Sequence, residues 1–402
     1  MLRLLREERD FRRVYISQLI SLGGDWFAII PLLTLLPLLT GLGIWGALVL
    51  AVDTLVFALL SPYAGTIVDR VDRRKLMVGC DLISAAMVLL LLLVRSETTA
   101  WISFVAIGGV AATKAFYAPA SQSAIPNLVP VADLPTANAL AGASWGVMLA
   151  VGAALGGLTA EALGTDWCFV IDAVSFLVSA ALVAAARKPF GQPRERREDS
   201  SVRADLAETV AYAKADHRIL ALLACKPGTQ LGNGAVALFP LLGSAVFGVG
   251  GTGVGLMFAA RGLGALIGPF VGRERLRRGS SSLWRVLATS ICFYAIAYMA
   301  FALTSWFPLA LLFIVLAHVG ASINWSLSAY ALQSTVPDYI RGRVFSADFM
   351  IGTLVVGISQ LALGGLAEVV NPRQLSFGLA VLVFLYGIGW YVATAGVRAK
   401  AP

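Results

Sequence analysis

Long apolar stretches, broken by short runs of charged, glycine or proline residues, follow one another along almost the whole chain. A helix crossing the hydrocarbon of a bilayer needs about 20 mostly apolar residues. Partition at that length predicts twelve spanning helices, at residues 13–37, 44–68, 75–95, 101–121, 138–160, 167–186, 218–246, 252–272, 283–303, 306–330, 346–368 and 375–396. Between the sixth and seventh lies the one long polar stretch, which contains Arg194, Glu195, Arg196, Arg197, Glu198 and Asp199. It predicts a linker ending in a helix on the membrane surface. The expected organisation is a six-helix half over 1–186, a cytoplasmic linker over 187–217 and a second six-helix half over 218–402.

Composition agrees with this pattern. Of 402 residues, 58% are hydrophobic and 13% charged, about half the ~25% of an ordinary soluble domain, and the mean hydropathy is +0.81. A soluble globular enzyme is excluded. The formal charge of +8 sits in short basic clusters between apolar runs, which reads as membrane topology rather than nucleic-acid binding. With the N-terminus inside, all but five of the 31 Lys and Arg residues fall on cytoplasmic segments. Arg95 and Arg373 fall outside, and Lys114, Lys226 and Arg261 lie within predicted spans. Five arginines stand between Met1 and Arg13, and the apolar segment after them is too long for a signal h-region, so it is read as a first, retained span. Cys80, Cys168, Cys225 and Cys292 have no ligand spacing, so neither a disulfide framework nor a metal site is expected.

The chain also repeats itself. The run from Gly65 to Arg74 recurs in form from Gly268 to Arg278, Gln122–Asn127 in Gln333–Asp338, and Ala154–Leu158 in Ala362–Leu366. Three matches in the same order, about 200 residues apart, imply a six-span unit duplicated in parallel.

Two parallel six-helix halves joined by a cytoplasmic linker resemble the plan of the major facilitator superfamily, and the resemblance covers nearly the whole chain. Gly65-x-x-x-Asp69-Arg70-x-x-Arg73-Arg74 is similar to that superfamily's signature after the second helix. With Gln122–Pro126, Asp133–Leu140 and Pro337–Val344, the chain looks like the drug:proton antiporter branch that includes macrolide and siderophore exporters. The resemblance implies an all-α integral membrane fold and alternating access without a cofactor. It further implies a monomer in the cell membrane with both termini cytoplasmic, whose partners are a small-molecule substrate, protons and membrane lipid.

The signature has a physical reading of its own. Gly65 lets helices approach, Asp69 can accept hydrogen bonds from a neighbouring helix N-terminus, and Arg70, Arg73 and Arg74 can pair with carboxylates or anionic headgroups. That describes a cytoplasmic gate, or else basic anchors of topology. In the fifth span, Gly152, Gly156 and Gly157 resemble the antiporter motif of proton-coupled exporters, except that Ala153 stands where that motif has proline. Small residues four apart also serve simply to pack helices closely.

An ionisable side chain near the bilayer centre costs at least ~2.5 kcal/mol on insertion scales and should face a cavity or a partner. Asp25, Asp53, Lys114, Lys226 and Arg261 are such residues. By resemblance, spans one, four, seven and ten line a central cavity, which puts Asp25, Lys114 and Lys226 beside the transport path. Asp25 and Asp53 are candidates for proton carriage, because a carboxylate reached intermittently by water can take up and release a proton. The alternative is an ion pair of either acid with Lys114. Lys226 and Arg261 either bind an anionic part of the substrate or pair with Asp25 and Asp53 as a gate between halves. His318 and Asp172 read as hydrogen-bonded helix contacts, and Trp101, Trp167, Trp306 and Trp390 as interface belts.

The leading function is proton-driven export of a small amphipathic molecule such as a drug, a macrolide-like compound or a siderophore. A lipid or lysolipid flippase on the same fold is the nearest alternative, and a transport-inactive membrane sensor a further one. A membrane enzyme or an ATP-driven pump is not expected, since HExxH, a supported GxSxG and GxxxxGK[ST] do not occur.

Overall fold

The computed structural model describes residues 2–68, 71–130, 133–190, 211–277 and 282–399. Among them are twelve helices long and apolar enough to cross a membrane. Numbering only these, the first six are α1 (Arg9–Thr40), α2 (Ile44–Val68), α3 (Arg73–Leu89), α4 (Ile102–Leu128), α5 (Leu134–Leu163) and α6 (Thr165–Ala184). The seventh, α7 (His217–Phe247), is a series of short helical pieces. Then come α8 (Gly251–Arg277), α9 (Leu283–Leu303), α10 (Phe307–Thr335), α11 (Asp338–Leu366) and α12 (Pro372–Ala393). The chain is a multi-pass, all-α membrane protein.

Each predicted span corresponds to one of these helices, with ends that differ by a few residues, and several helices run further. The helix of α4 continues to Leu128 through the polar Gln122–Asn127, because a helix that satisfies its own backbone need not stop where the apolar stretch stops. Helix ends follow local chemistry. Gly41 closes α1 at φ 71° with its N–H on the Pro37 carbonyl, and Gly164, at φ 92°, turns α5 into α6 in a single residue. Only glycine adopts such angles readily. Asp72 caps α3 by accepting the Lys75 N–H at 3.0 Å. In α7 the helix breaks at Ala224–Cys225 and restarts at Lys226 with Pro227 in its first turn, the position where a missing N–H costs nothing.

The chain divides into two compact units, Met1–Glu198 with Gly250–Ala259, and Asp199–Val249 with Ala260–Pro402. In the first, α1 packs on α5 and α6, α3 on α4 and α6, and α2 on α4. In the second, the pieces of α7 pack on α11 and α12, and α9 on α10 and α12. The same pairings six helices apart express in packing the repetition seen in sequence. The units are not the uninterrupted stretches expected from sequence. The first turns of α8 go with the first unit, where a Cβ on Gly255 would lie 2.5 Å from the Ala153 carbonyl and one on Gly157 would lie 2.8 Å from the Gly251 carbonyl. The start of the expected linker does so too, as described below.

Large apolar side chains such as Leu38, Phe270, Leu303 and Val392 are exposed, as befits helices whose solvent is hydrocarbon. Trp101, Trp167 and Trp306 are exposed as a belt requires, but Trp390 is buried. Its ring stacks on Trp284 and its indole N–H donates to the Ala221 carbonyl at 2.8 Å, so it packs α12 rather than marking an interface.

Candidate functional site

In the first unit, α1, α2 and α4 bring three charges together. The Lys114 ammonium lies 3.0 Å from Asp25 and 3.8 Å from Asp53. Asp25 is 6% exposed. The preceding glycine makes room for this arrangement: a Cβ on Gly24 would collide with Ser175 and Asp172 of α6, so α6 comes close behind Asp25. There Asp172 accepts a hydrogen bond from the Ser175 hydroxyl at 3.2 Å. One ammonium balances one carboxylate, and the set therefore carries either a surplus negative charge or a proton. Three of the charges that stand out in the sequence are thus brought together.

In the second unit Lys226 is paired with Asp348 of α11, and its ammonium lies 4.3 Å over the Trp325 ring. Both charged residues are 2% exposed. Sequence offered two partners for Lys226, an anionic part of the substrate or a first-half carboxylate. The structure supplies an acid of the same unit, because α7 packs along α11 and a buried ammonium left unpaired is costly. Cys225 and Thr229 flank the pair through hydrogen bonds with Asn324 of α10. Arg261 lies beside Tyr294 and Tyr298, and Tyr298 is hydrogen-bonded to His318 at 3.1 Å.

Of the loop signature, Asp69 and Arg70 lie outside the described residues, as do Gly191 to Val210 with the charged run of the linker. Gly65 lies in the last turns of α2. Arg73 and Arg74 reach main-chain carbonyls of the first unit. Arg73 donates to the carbonyls of Ser123 at 2.9 Å and Phe190 at 3.1 Å. Arg74 donates to the Lys188 carbonyl at 2.5 Å and stacks on the Phe190 ring. The planar guanidinium presents five N–H donors, so one arginine can serve two main-chain carbonyls. Asn127 also donates to the Phe190 carbonyl, at 3.1 Å, and Asp10 accepts both the Lys188 N–H and Arg13 at 2.8 Å. Phe190 is 4% exposed, in one apolar cluster with Leu4, Phe11, Met77 and Leu128. Residues 187–190, expected as linker, are thus fastened to the end of the first unit.

The fifth-span glycines meet backbone. A Cβ on Gly152 would lie 2.5 Å from the Gly23 carbonyl, and one on Gly156 would lie 2.8 Å from the Cα of Phe27. Beside this contact an apolar groove opens between α1, α5 and α6, lined by Ile20, Phe27, Val151, Leu155 and Ile171 over Gly24 and Ser175.

Sequence reasoning passed over Asp10, Lys188, Phe190 and Asp81. Asp81, 1% exposed in α3, accepts a hydrogen bond from Ser179 at 2.7 Å. The signal for Asp81 was present, an acid inside an apolar run; for Phe190 there was none.

The sequence profile of the Major Facilitator Superfamily matches residues 15–359. Macrolide efflux protein A of Streptococcus pyogenes is 27% identical over 183 residues, 44% of this chain and 45% of that protein, so the match spans about half the length of that relative. Multidrug efflux pump Tap of Mycolicibacterium fortuitum is 25% identical over 85% of this chain and 84% of its own. A solved structure of a POT family transporter in complex with 5-aminolevulinic acid superposes with a TM-score of 0.80 at 11% identity, covering 98% of this chain and 97% of that one.

Proposed function

The chain belongs to the Major Facilitator Superfamily, and on that premise we propose that it exports a small amphipathic molecule, in exchange for protons, by alternating access. The observation that carries this reading is the Asp25–Lys114–Asp53 set. Two carboxylates around one ammonium differ by one charge according to whether a proton is bound, and a buried surplus charge is costly. Proton uptake at Asp25 or Asp53 from the proton-rich side, and release inside, would tie that charge change to the movement of substrate. Similarity to an efflux protein for macrolides and to a multidrug efflux pump supports outward transport of drug-like compounds.

The distribution of basic residues supports a place in the cell membrane with both termini in the cytoplasm. Gly65, Asp69, Arg70, Arg73 and Arg74 then belong to the cytoplasmic gate. The protein works as a monomer among membrane lipids, and it needs no cofactor or metal ion.

The test is transport by the full chain in proteoliposomes against a chemically mixed panel of amphipathic compounds. An imposed proton gradient is expected to drive at least one compound uphill, with proton movement in the opposite direction. Movement that ignores the gradient would refute proton coupling, and a panel left entirely unmoved would refute export.

One observation favours a second reading, translocation of a lipid or lysolipid. The apolar groove between α1, α5 and α6 ends on Gly24, next to Asp25, and would admit an acyl chain from the side. Dithionite quenching of a fluorescent lysolipid in the same vesicles separates this reading from export.

A further inference from the structure

Lys226, Gln230 and Asn233 stand at i, i+4 and i+7 of α7 and therefore share one helix face. That face meets α11 at Asp348, and at Gly352, where a Cβ would lie 3.6 Å from Gln230 and 3.7 Å from Trp325. Its charge is already balanced, one ammonium against one carboxylate. Its hydrogen bonding is not. Lys226 bonds to Oδ2 of Asp348, while Oδ1 has no hydrogen-bond partner among the described residues. Asn233 donates its Nδ2 to Gln230 at 2.6 Å, while its Oδ1 likewise has no partner among them. Asp348 is 2% exposed and Asn233 9%.

Both open atoms are acceptors, so only a donor satisfies them. The charge balance then decides what kind of donor. A second cation at Asp348 would give the buried pair a net positive charge, and an anion would face two bare oxygens. A neutral donor brings neither cost. Beside the pair, Trp325 is half-buried and stands edge-on to the exposed Phe349 at 5.8 Å, which provides an aromatic wall.

We propose that this face of α7 and α11 is a recognition site for neutral hydrogen-bond donors, hydroxyl or amide N–H groups, on an amphipathic molecule whose apolar body lies against Trp325 and Phe349. It rests on the transporter reading for its occupant, but not on proton coupling. Asp348 and Asn233 take the donors, and Lys226 is a positioning residue that orients and neutralises Asp348. By the 1.5 Å rise per residue, Lys226 and Asn233 stand about 10 Å apart along α7, so the ligand presents donors at two separated places.

The test is equilibrium binding to the full chain in lipid nanodiscs, followed by dansyl fluorescence. The probes are a dansyl-alkyl glucoside and its per-O-methylated analogue, a dansyl-alkyl primary amide and its N,N-dimethyl analogue, and dansyl-alkyl probes ending in an ammonium or a carboxylate. At least one donor probe is expected to bind about tenfold or more tightly than its methylated partner. The glucoside pair reports hydroxyl recognition and the amide pair N–H recognition. Asn233→Leu and Asp348→Asn should each shrink that ratio; since Asp348→Asn leaves Lys226 without its acid and risks misfolding, Asn233→Leu and the probe pairs on the unaltered protein decide the matter. Equal binding within both pairs, or tightest binding of the carboxylate or ammonium probe, would overturn the proposal. Flux of the same probes in proteoliposomes is scored separately: a donor preference without any flux would count against export and leave the site standing, whereas flux without a donor preference would do the reverse.

Discussion

The ammonium of Lys114 on α4 lies 3.0 Å from the carboxylate of Asp25 on α1, with Asp53 of α2 a looser partner at 3.8 Å. A lysine between two acids has a partner in reserve, so loss of one acid need not strand the cation. This distinguishes the first unit from the second, where Lys226 pairs with Asp348 alone among the described carboxylates.

Asp25→Asn is expected to abolish gradient-driven accumulation while leaving substrate exchange, because exchange needs binding and alternating access but uphill transport also needs a titratable group. Folding should survive, since Asp53 still balances Lys114. Proteoliposome uptake with and without a proton gradient checks both parts. Intact accumulation would move the proton to Asp53.

Asp25→Asn combined with Asp53→Asn is expected to destabilise far more than either change alone. It leaves the Lys114 ammonium uncompensated, which typically costs about 3–5 kcal/mol. Thermal unfolding in detergent provides the comparison, and additive single effects would show that the two acids do not share the cation.

Lys226→Ala should lower stability by about 3–5 kcal/mol, by stranding Asp348. Lys226→Met together with Asp348→Leu should recover most of it. A double variant no more stable than the single one would mean that the pair contributes through its position beside Trp325 rather than through mutual neutralisation.

Gly156→Ala is expected to cost about 1–3 kcal/mol and to impair transport, because the added methyl meets the backbone of Phe27. Gly79→Ala, where nothing lies within 4 Å, should be neutral or stabilising by about 0.5 kcal/mol. Equal effects of the two would remove close approach of α1 and α5 as the reason for glycine at 156.

Phe190→Ala removes a buried ring from the end of the first unit, where such truncations cost about 3–5 kcal/mol. Hydrogen exchange read by mass spectrometry should speed up over residues 185–190 and the first turn of α3. Unchanged exchange there would show that Arg73, Arg74 and Asn127 hold the stretch without the ring.

The twelve spans were legible because a membrane helix must be apolar over its full length, whatever lies beside it, and the duplication was legible because copied motifs keep their order. The charges worth examining stood out for the same reason: Asp25, Asp53, Lys114 and Lys226 are conspicuous in apolar surroundings. Asp81 obeyed the same rule and was simply passed over. Phe190 left no such mark, since an aromatic residue after a helix looks the same in sequence whether it is packed or free.

Hydropathy, length and repetition are local properties of the chain, and by themselves they determined the all-α membrane fold and which buried side chains needed a partner. The identity of each partner was decided only by the tertiary structure. Lys226 meets Asp348 because α7 lies along α11, and Arg73 reaches the Phe190 carbonyl because the chain after α6 turns back across the ends of α3 and α4. Such pairings depend on how far each helix is rotated about its axis and how closely it approaches its neighbour, two quantities that an apolar sequence, uniform around the helix, does not encode.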